Sequence, residues 1–127
     1  MRLIAMTASL TALVGCAVAD PVAPAAEAAA GADCPVLVRF GSYAGGIDAP
    51  AAEAVAAALQ ADRRAGDVQV RPWGREGERD LCVATRTAMD AEALAATARG
   101  ALPARRLNGY VDILLNGRRV FTTQGTP

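Results

Sequence analysis

The chain has 127 residues, of which 53% are hydrophobic but only 4% aromatic, so the volume of its core must come from a small number of large side chains. Its 13 basic residues are all arginine and are balanced by 13 acidic residues, which excludes an argument for nucleic-acid binding from net charge. The absence of histidine excludes Ser-His-Asp and Cys-His nucleophiles and the usual imidazole ligands of zinc. We expect neither a metal nor another cofactor.

The N-terminus has the pattern of an export signal. Met1 and Arg2 provide a short positive start, and residues 3–14 form an apolar run bounded by small residues. This run is shorter than the roughly 20 residues that a helix needs to span a bilayer. The pattern therefore predicts a signal peptide rather than a resident transmembrane helix.

The run ends in Leu-Val-Gly-Cys at residues 13–16. This motif resembles the lipobox of bacterial lipoproteins, which implies that residues 1–15 are removed and that Cys16 becomes the lipidated N-terminus. Each buried CH₂ contributes about 0.8 kcal/mol, so two or more acyl chains anchor a protein stably. In that family aspartate after the cysteine retains the protein in the inner membrane; Ala17 therefore favours the outer membrane, facing the periplasm.

An ordinary secretory signal is the alternative, because cleavage near Ala19 would discard Cys16 with the leader. Residues 16–33 are rich in alanine and carry few large apolar side chains, so they cannot bury enough surface to order themselves. We interpret them as a tether. The remaining residues, 34–127, have the size of one small domain.

Two cysteines remain once Cys16 is assigned to the lipid. Cys34 and Cys82 are not in a C-x-x-C arrangement, and an even pair in an oxidising compartment predicts one disulfide. The alternative is a reactive thiol.

The domain begins with a predicted strand and helix. Residues 35–40 are rich in β-forming side chains and are followed by glycines that end a strand. Asp48 can cap a helix, Pro50 can occupy its first turn, and we expect this helix to run to about Arg64, with Gly66 as its stop.

A hairpin and a second helix follow. Residues 67–73 and 79–87 alternate between apolar and polar positions on either side of a glycine-containing turn, which predicts two paired strands. Thr87 and Asp90 have capping-box spacing before a helix that ends near Gly100.

The C-terminal segment, 110–123, places Asn116-Gly117 between two apolar-alternating runs, which is a strong hairpin signal. The predicted fold class is therefore α+β: a ferredoxin-like βαββαβ split sandwich with an extra C-terminal β-hairpin strand. We expect the first and third strands to lie side by side and parallel in the middle of the sheet, with the helices on one face. Strand alternation turns one set of side chains towards the helices: Val36, Val38, Val68, Val70, Leu81 and Val83.

The opposite face of the predicted sheet is the first candidate site. Arginines on neighbouring strands can clamp an anion or a partner protein. The alternative is that Asp112, Glu78 and the C-terminal hairpin neutralise them. The side chains assigned to this face are Arg39, Arg71, Trp73 and Arg86.

Two loops are weaker candidates. The glycine-rich segment 41–50 can expose backbone N–H groups before a helix, with Ser42 and Tyr43 as ligand-binding side chains, but it matches no phosphate-binding motif and a structural turn is the alternative. Residues 73–80 gather alternating charges, which we interpret as a solvated hairpin tip. Trp73 is either a lid on the sheet edge or a stacking platform.

Three classes of function remain. The first is a non-catalytic, lipid-anchored domain of the cell envelope that binds a partner protein or an anionic envelope component. The second is an enzyme using carboxylate and arginine chemistry, and the third is a thiol-redox protein. An envelope location, and the lack of aromatic residues on the central strands, disfavour nucleic acid as a partner.

Overall fold

The structure, a computed structural model, describes residues 34–125. The expected signal peptide, the tether and Cys16 lie outside the described residues. Strands and helices follow in the order β1 (Val36–Gly41), α1 (Ala49–Ala61), β2 (Ala65–Pro72), β3 (Arg79–Thr85), α2 (Ala88–Gly100), β4 (Tyr110–Leu115) and β5 (Arg118–Thr122). The predicted α+β class and the predicted order of elements are confirmed.

The five strands form one antiparallel sheet in the order β2-β3-β1-β4-β5. The expectation that β1 and β3 run parallel was wrong, although the two strands are neighbours. The chain leaves β1 through α1, enters β2 one strand away, and then reverses in a hairpin. Because of that reversal, β3 fills the gap beside β1 in the antiparallel direction.

Both helices begin at the predicted caps. The Asp48 carboxylate accepts a hydrogen bond from the Ala51 backbone N–H at 3.1 Å, and Thr87 Oγ1 accepts one from the Asp90 N–H at 3.1 Å. A side-chain oxygen at the N-cap satisfies a backbone donor that lacks an intrahelical partner.

Helix α1 ends at Ala61, three residues earlier than expected. Asp62 explains this early stop. Its carboxylate accepts hydrogen bonds from the Arg64 backbone N–H and guanidinium and from the Thr97 hydroxyl on α2. These bonds favour a turn over a further helical turn, and the predicted stop residue, Gly66, already belongs to β2.

The main core lies between the helices and one face of the sheet. Phe40, Leu59 and Leu94 are fully buried there, and small alanines on both helices allow close approach. Val70 departs from the expectation, because half of its surface is exposed on the edge strand β2. The C-terminal hairpin turns at Asn116 and Gly117, both with positive φ, as predicted.

The predicted disulfide between Cys34 and Cys82 is confirmed, with the two Cα atoms 5.2 Å apart. Both cysteines are buried in a small cluster with Leu37, and Leu114 packs against it. Since Leu37 and Cys82 are paired residues on β1 and β3, the cluster lies on the sheet face opposite the main core. Cys34 precedes β1, so it is not constrained by strand alternation.

Candidate functional site

The open face of the sheet carries an internal ion pair rather than an arginine clamp. Arg39 donates two hydrogen bonds of 3.0 Å to the two oxygens of Asp80, and the Trp73 indole N–H donates a third, of 2.8 Å, to the same carboxylate. The Arg39 guanidinium also lies 5.5 Å from the centre of the Trp73 ring. We expected Asp80 in a solvated hairpin tip, but it is buried.

Strand register explains this pairing. Arg71, Asp80, Arg39 and Asp112 are successive cross-strand partners on β2, β3, β1 and β4, so the charges alternate along one row. Opposite charges at directly opposed positions stabilise a sheet. Arg39 is therefore paired with a carboxylate, but with Asp80, which was not among the neutralising groups that we expected.

The remaining members of the predicted clamp do not join it. Arg71 donates to Gln69 of its own strand at 3.2 Å. Arg86 is exposed and lies beyond the last residue of β3, whereas Asp80 lies at the start of that strand. Six residues of extended chain span roughly 20 Å, so Arg39 and Arg86 are at opposite ends of the sheet.

Asp112 is buried at the β4 end of the row. One of its oxygens is 3.4 Å from Arg119 Nε and accepts a hydrogen bond of 3.3 Å from the Gln124 side chain. Its other oxygen, Oδ1, has no hydrogen-bond partner among the described residues. Burial of the Tyr110 ring, together with the Asp112 charge, raises the pKa of the Tyr110 phenol.

In the glycine-rich loop, the Ser42 hydroxyl is engaged by the loop itself. Its oxygen accepts hydrogen bonds of 3.0 to 3.1 Å from three successive backbone N–H groups, and its proton is donated to Glu76 in the β2–β3 turn. These N–H groups, which belong to Ala44, Gly45 and Gly46, are not available to a phosphate. Ser42 is thus a structural turn residue, and Tyr43 remains exposed.

Asp48 connects the start of α1 to the long connection between α2 and β4, residues 101–109. Besides capping the helix, its carboxylate accepts hydrogen bonds of 2.6 and 2.9 Å from Arg105 and one of 3.1 Å from the Asn108 backbone N–H. The Arg105 guanidinium holds the pKa of Asp48 well below its usual range, against the opposing effect of burial. The same contact raises the pKa of Arg105.

We predict a pH-dependent contribution of Asp48 to stability. The folded-state pKa lies below the unfolded value of about 3.9, so the ionised carboxylate stabilises the fold at neutral pH, and this stabilisation is lost as the pH falls below about 4. At pH 7 the variant Asp48→Asn should have a free energy of unfolding about 2 kcal/mol lower than that of wild type. In acid the two free energies of unfolding should approach each other.

Thermal unfolding from pH 7 to pH 3 measures this difference. The pKa of Asp62 is also lowered, by hydrogen bonds from Arg64, and that effect cancels because both proteins retain it. Asp67→Asn, at an exposed position on β2, serves as the control. A stability difference between Asp48→Asn and wild type that stays constant over the whole range would contradict the prediction.

A cleft of about 810 Å³ opens where β1 ends, β4 begins and β5 ends. Gly109 allows the long connection to approach β1, because its φ is positive and an added Cβ would collide with the Gly41 carbonyl oxygen. The cleft is lined by Tyr43, Gly45, Arg99, Leu102, Pro103, Arg105, Arg106, Leu107, Asn108, Gly109, Phe121, Thr123 and Gly125.

The cleft is cationic. Arg99, Arg105 and Arg106 line it, and among residues 34–125 no carboxylate does. Arg99 lies over the Phe121 ring at 4.9 Å, and Arg105 is held by Asp48 while about half of its side chain stays exposed. Even after Asp48 neutralises one arginine, two positive charges remain.

Of the residues that line this cleft, only Tyr43 and Gly45, both in the glycine-rich segment 41–50, belong to a site predicted from the sequence. Sequence reasoning missed the arginines, although a signal was present: the connection between α2 and β4 contains Arg105 and Arg106 and no acidic residue. The convergence of three separate loops on one cleft is not visible in local sequence patterns.

No protein-family model, curated protein or solved structure matches this chain. Within residues 34–125, no helix is long and apolar enough to cross a membrane, and no cluster of three or more potential metal-ligating side chains occurs.

Proposed function

We propose that the protein is a lipid-anchored, non-catalytic binding domain of the cell envelope, whose cleft holds an anionic ligand. The observation that carries the binding role is that three arginines line the cleft and that no carboxylate of the described part of the chain does. Its volume falls in the range of roughly 300 to 1,000 Å³ that is typical of small-molecule sites. Arginine binds carboxylates and phosphates through paired N–H donors.

The envelope location is supported by the lipobox-like residues 13–16 and by the use of the other cysteines. Cys34 and Cys82 are joined in a disulfide, which supports an oxidising compartment. Since the chain has three cysteines, Cys16 is then the one left to carry the lipid. The residue after Cys16 is Ala17 rather than aspartate, which supports a location in the outer membrane. Intact-mass spectrometry of the protein from its native membrane tests this part, and a mature chain that begins after Cys16 would contradict it.

We propose further that the domain is a ferredoxin-like split sandwich extended by β5. The two crossovers support this, because α1 connects β1 to β2 across β3, and α2 connects β3 to β4 across β1. Such a fold carries many unrelated activities, so the proposed function depends on the cleft and not on the topology.

Binding is favoured over catalysis by the state of Asp48, the carboxylate that contacts the cleft residue Arg105. Asp48 is buried behind Arg105, and its lowered pKa makes it a poor general acid or base near neutral pH. The disulfide is likewise buried, whereas reactive cysteines are accessible. These observations support the binding module over the enzyme and the thiol-redox protein.

Titration of the detergent-purified full chain with citrate, an anion without a ring, tests the proposal by calorimetry. We expect Arg99→Gln combined with Arg106→Gln to weaken citrate binding about tenfold or more, because each charge-assisted hydrogen bond contributes about 1.5 to 3 kcal/mol. The matched control combines Arg63→Gln with Arg75→Gln, which removes two exposed arginines away from the cleft. Equal loss in both variants, or no binding by wild type, would refute an anion site in the cleft.

A further inference from the structure

Tyr43 stands at the edge of the cleft with 64% of its surface exposed. Its ring is supported by Tyr110, with ring centres 5.4 Å apart and planes tilted by 45°. The preceding residue, Ser42, is fixed by three backbone N–H groups and by Glu76. An exposed aromatic ring on a rigid loop provides a binding surface with little ordering cost.

The arginines of the cleft differ in their availability. Arg105 is committed to Asp48 through two hydrogen bonds, and Arg99 lies against Phe121. Arg106 is exposed, and no carboxylate among the described residues forms an ion pair with it. Arg106 is therefore the guanidinium best placed to receive an anionic group.

The rest of the lining is mixed in character. Leu102, Leu107 and Phe121 contribute apolar surface, while Asn108 and Thr123 contribute an amide and a hydroxyl. The Asn108 side chain is oriented by a hydrogen bond of 2.9 Å from its Nδ2 to the Gly45 carbonyl oxygen. A ligand that fits this lining presents both an apolar face and several hydrogen-bonding groups.

We infer that the cleft binds an acidic sugar, with the sugar ring against Tyr43 and its carboxylate or phosphate on Arg106. A sugar ring combines an apolar C–H face with hydroxyl groups, and so matches the mixed lining. This inference rests on the proposed function, since it specifies the anion that the cleft holds. In this arrangement Tyr43 selects for the sugar ring, and Arg106 binds the charged group.

Calorimetric titration of the detergent-purified full chain separates these contributions. The probes are glucuronate, glucose 6-phosphate, glucose, acetate, inorganic phosphate and benzoate. We expect the two acidic sugars, glucuronate and glucose 6-phosphate, to bind at least tenfold more tightly than glucose or the ringless anions acetate and inorganic phosphate. Whichever of glucuronate and glucose 6-phosphate binds more tightly identifies the preferred anionic group as carboxylate or phosphate.

Two variants complete the test. Tyr43→Ala should weaken binding of the sugar acids about tenfold and leave inorganic phosphate unchanged, since an aromatic contact contributes up to about one factor of ten. Arg106→Gln should weaken binding of the acidic sugars and of inorganic phosphate alike. Met89→Ala, at an exposed position outside the lining of the cleft, is the control.

The outcomes distinguish the inference from the proposed function. Equal affinity for sugar acids and ringless anions, or tighter binding of benzoate, would overturn the sugar inference while leaving an anion site in place. The proposed function would fall together with it if none of the anions bound to the wild-type protein.

Discussion

Replacing Cys34 and Cys82 together by alanine is expected to lower the free energy of unfolding by about 4 kcal/mol. The disulfide joins residues 48 positions apart, and closing so long a loop removes much conformational entropy from the unfolded chain. A domain of this size has a total stability of only about 5 to 15 kcal/mol. Urea unfolding at pH 7, followed by circular dichroism, measures the change.

The control is the wild-type protein unfolded in the presence of a reductant. It should lose nearly the same stability as the double alanine variant, and the variant itself should not respond to the reductant. A wild-type midpoint that does not move after complete reduction would show that the cross-link contributes nothing to folding stability.

The second large effect is expected at Asp80. Removing its charge with Asp80→Asn leaves the Arg39 guanidinium, whose side chain is only 19% exposed, without the carboxylate that receives its two hydrogen bonds. We expect a loss of about 3 kcal/mol in unfolding free energy, since breaking one partner of a largely buried ion pair costs several kcal/mol. The asparagine oxygen can still accept a hydrogen bond from the Trp73 indole N–H, so the substitution tests the negative charge of Asp80.

A double-mutant cycle with Arg39→Met isolates the pair. If the ion pair is the cause, the double variant is more stable than the sum of the two single losses predicts, and the coupling energy is at least about 1 kcal/mol. Asp67→Asn on the neighbouring strand β2 is exposed and should change stability by less than about 0.5 kcal/mol. Additive losses at Arg39 and Asp80 would contradict the role given to their contact.

The parts of the fold that were predicted correctly depend on local signals. Asp48 and Thr87 cap their helices, and Asn116-Gly117 forms its turn, because each needs only residues within three positions along the chain. The direction of β3 beside β1 was not predicted correctly, since it follows from how a crossover and a hairpin combine across the sheet.

The site was harder to predict for the same reason. Arg39 and Asp80 are 41 residues apart, and Asp48 and Arg105 are 57 apart. Arg39, which was predicted to bind an anion on the open face, is paired with Asp80, a carboxylate that only strand register brings near it. The cleft is assembled from distant loops, and of its lining residues only Tyr43 and Gly45 belong to a site predicted from the sequence.

The position of the disulfide also determines how the domain bears mechanical load. Force applied to the residues before Cys34 is transmitted to the sheet at the start of β1, its central strand. The disulfide to Cys82 transmits part of that force directly to β3. Two adjacent strands then resist shearing together. The cleft lies at the far end of β1, roughly 20 Å away, so the disulfide and the cleft occupy opposite ends of the central strand.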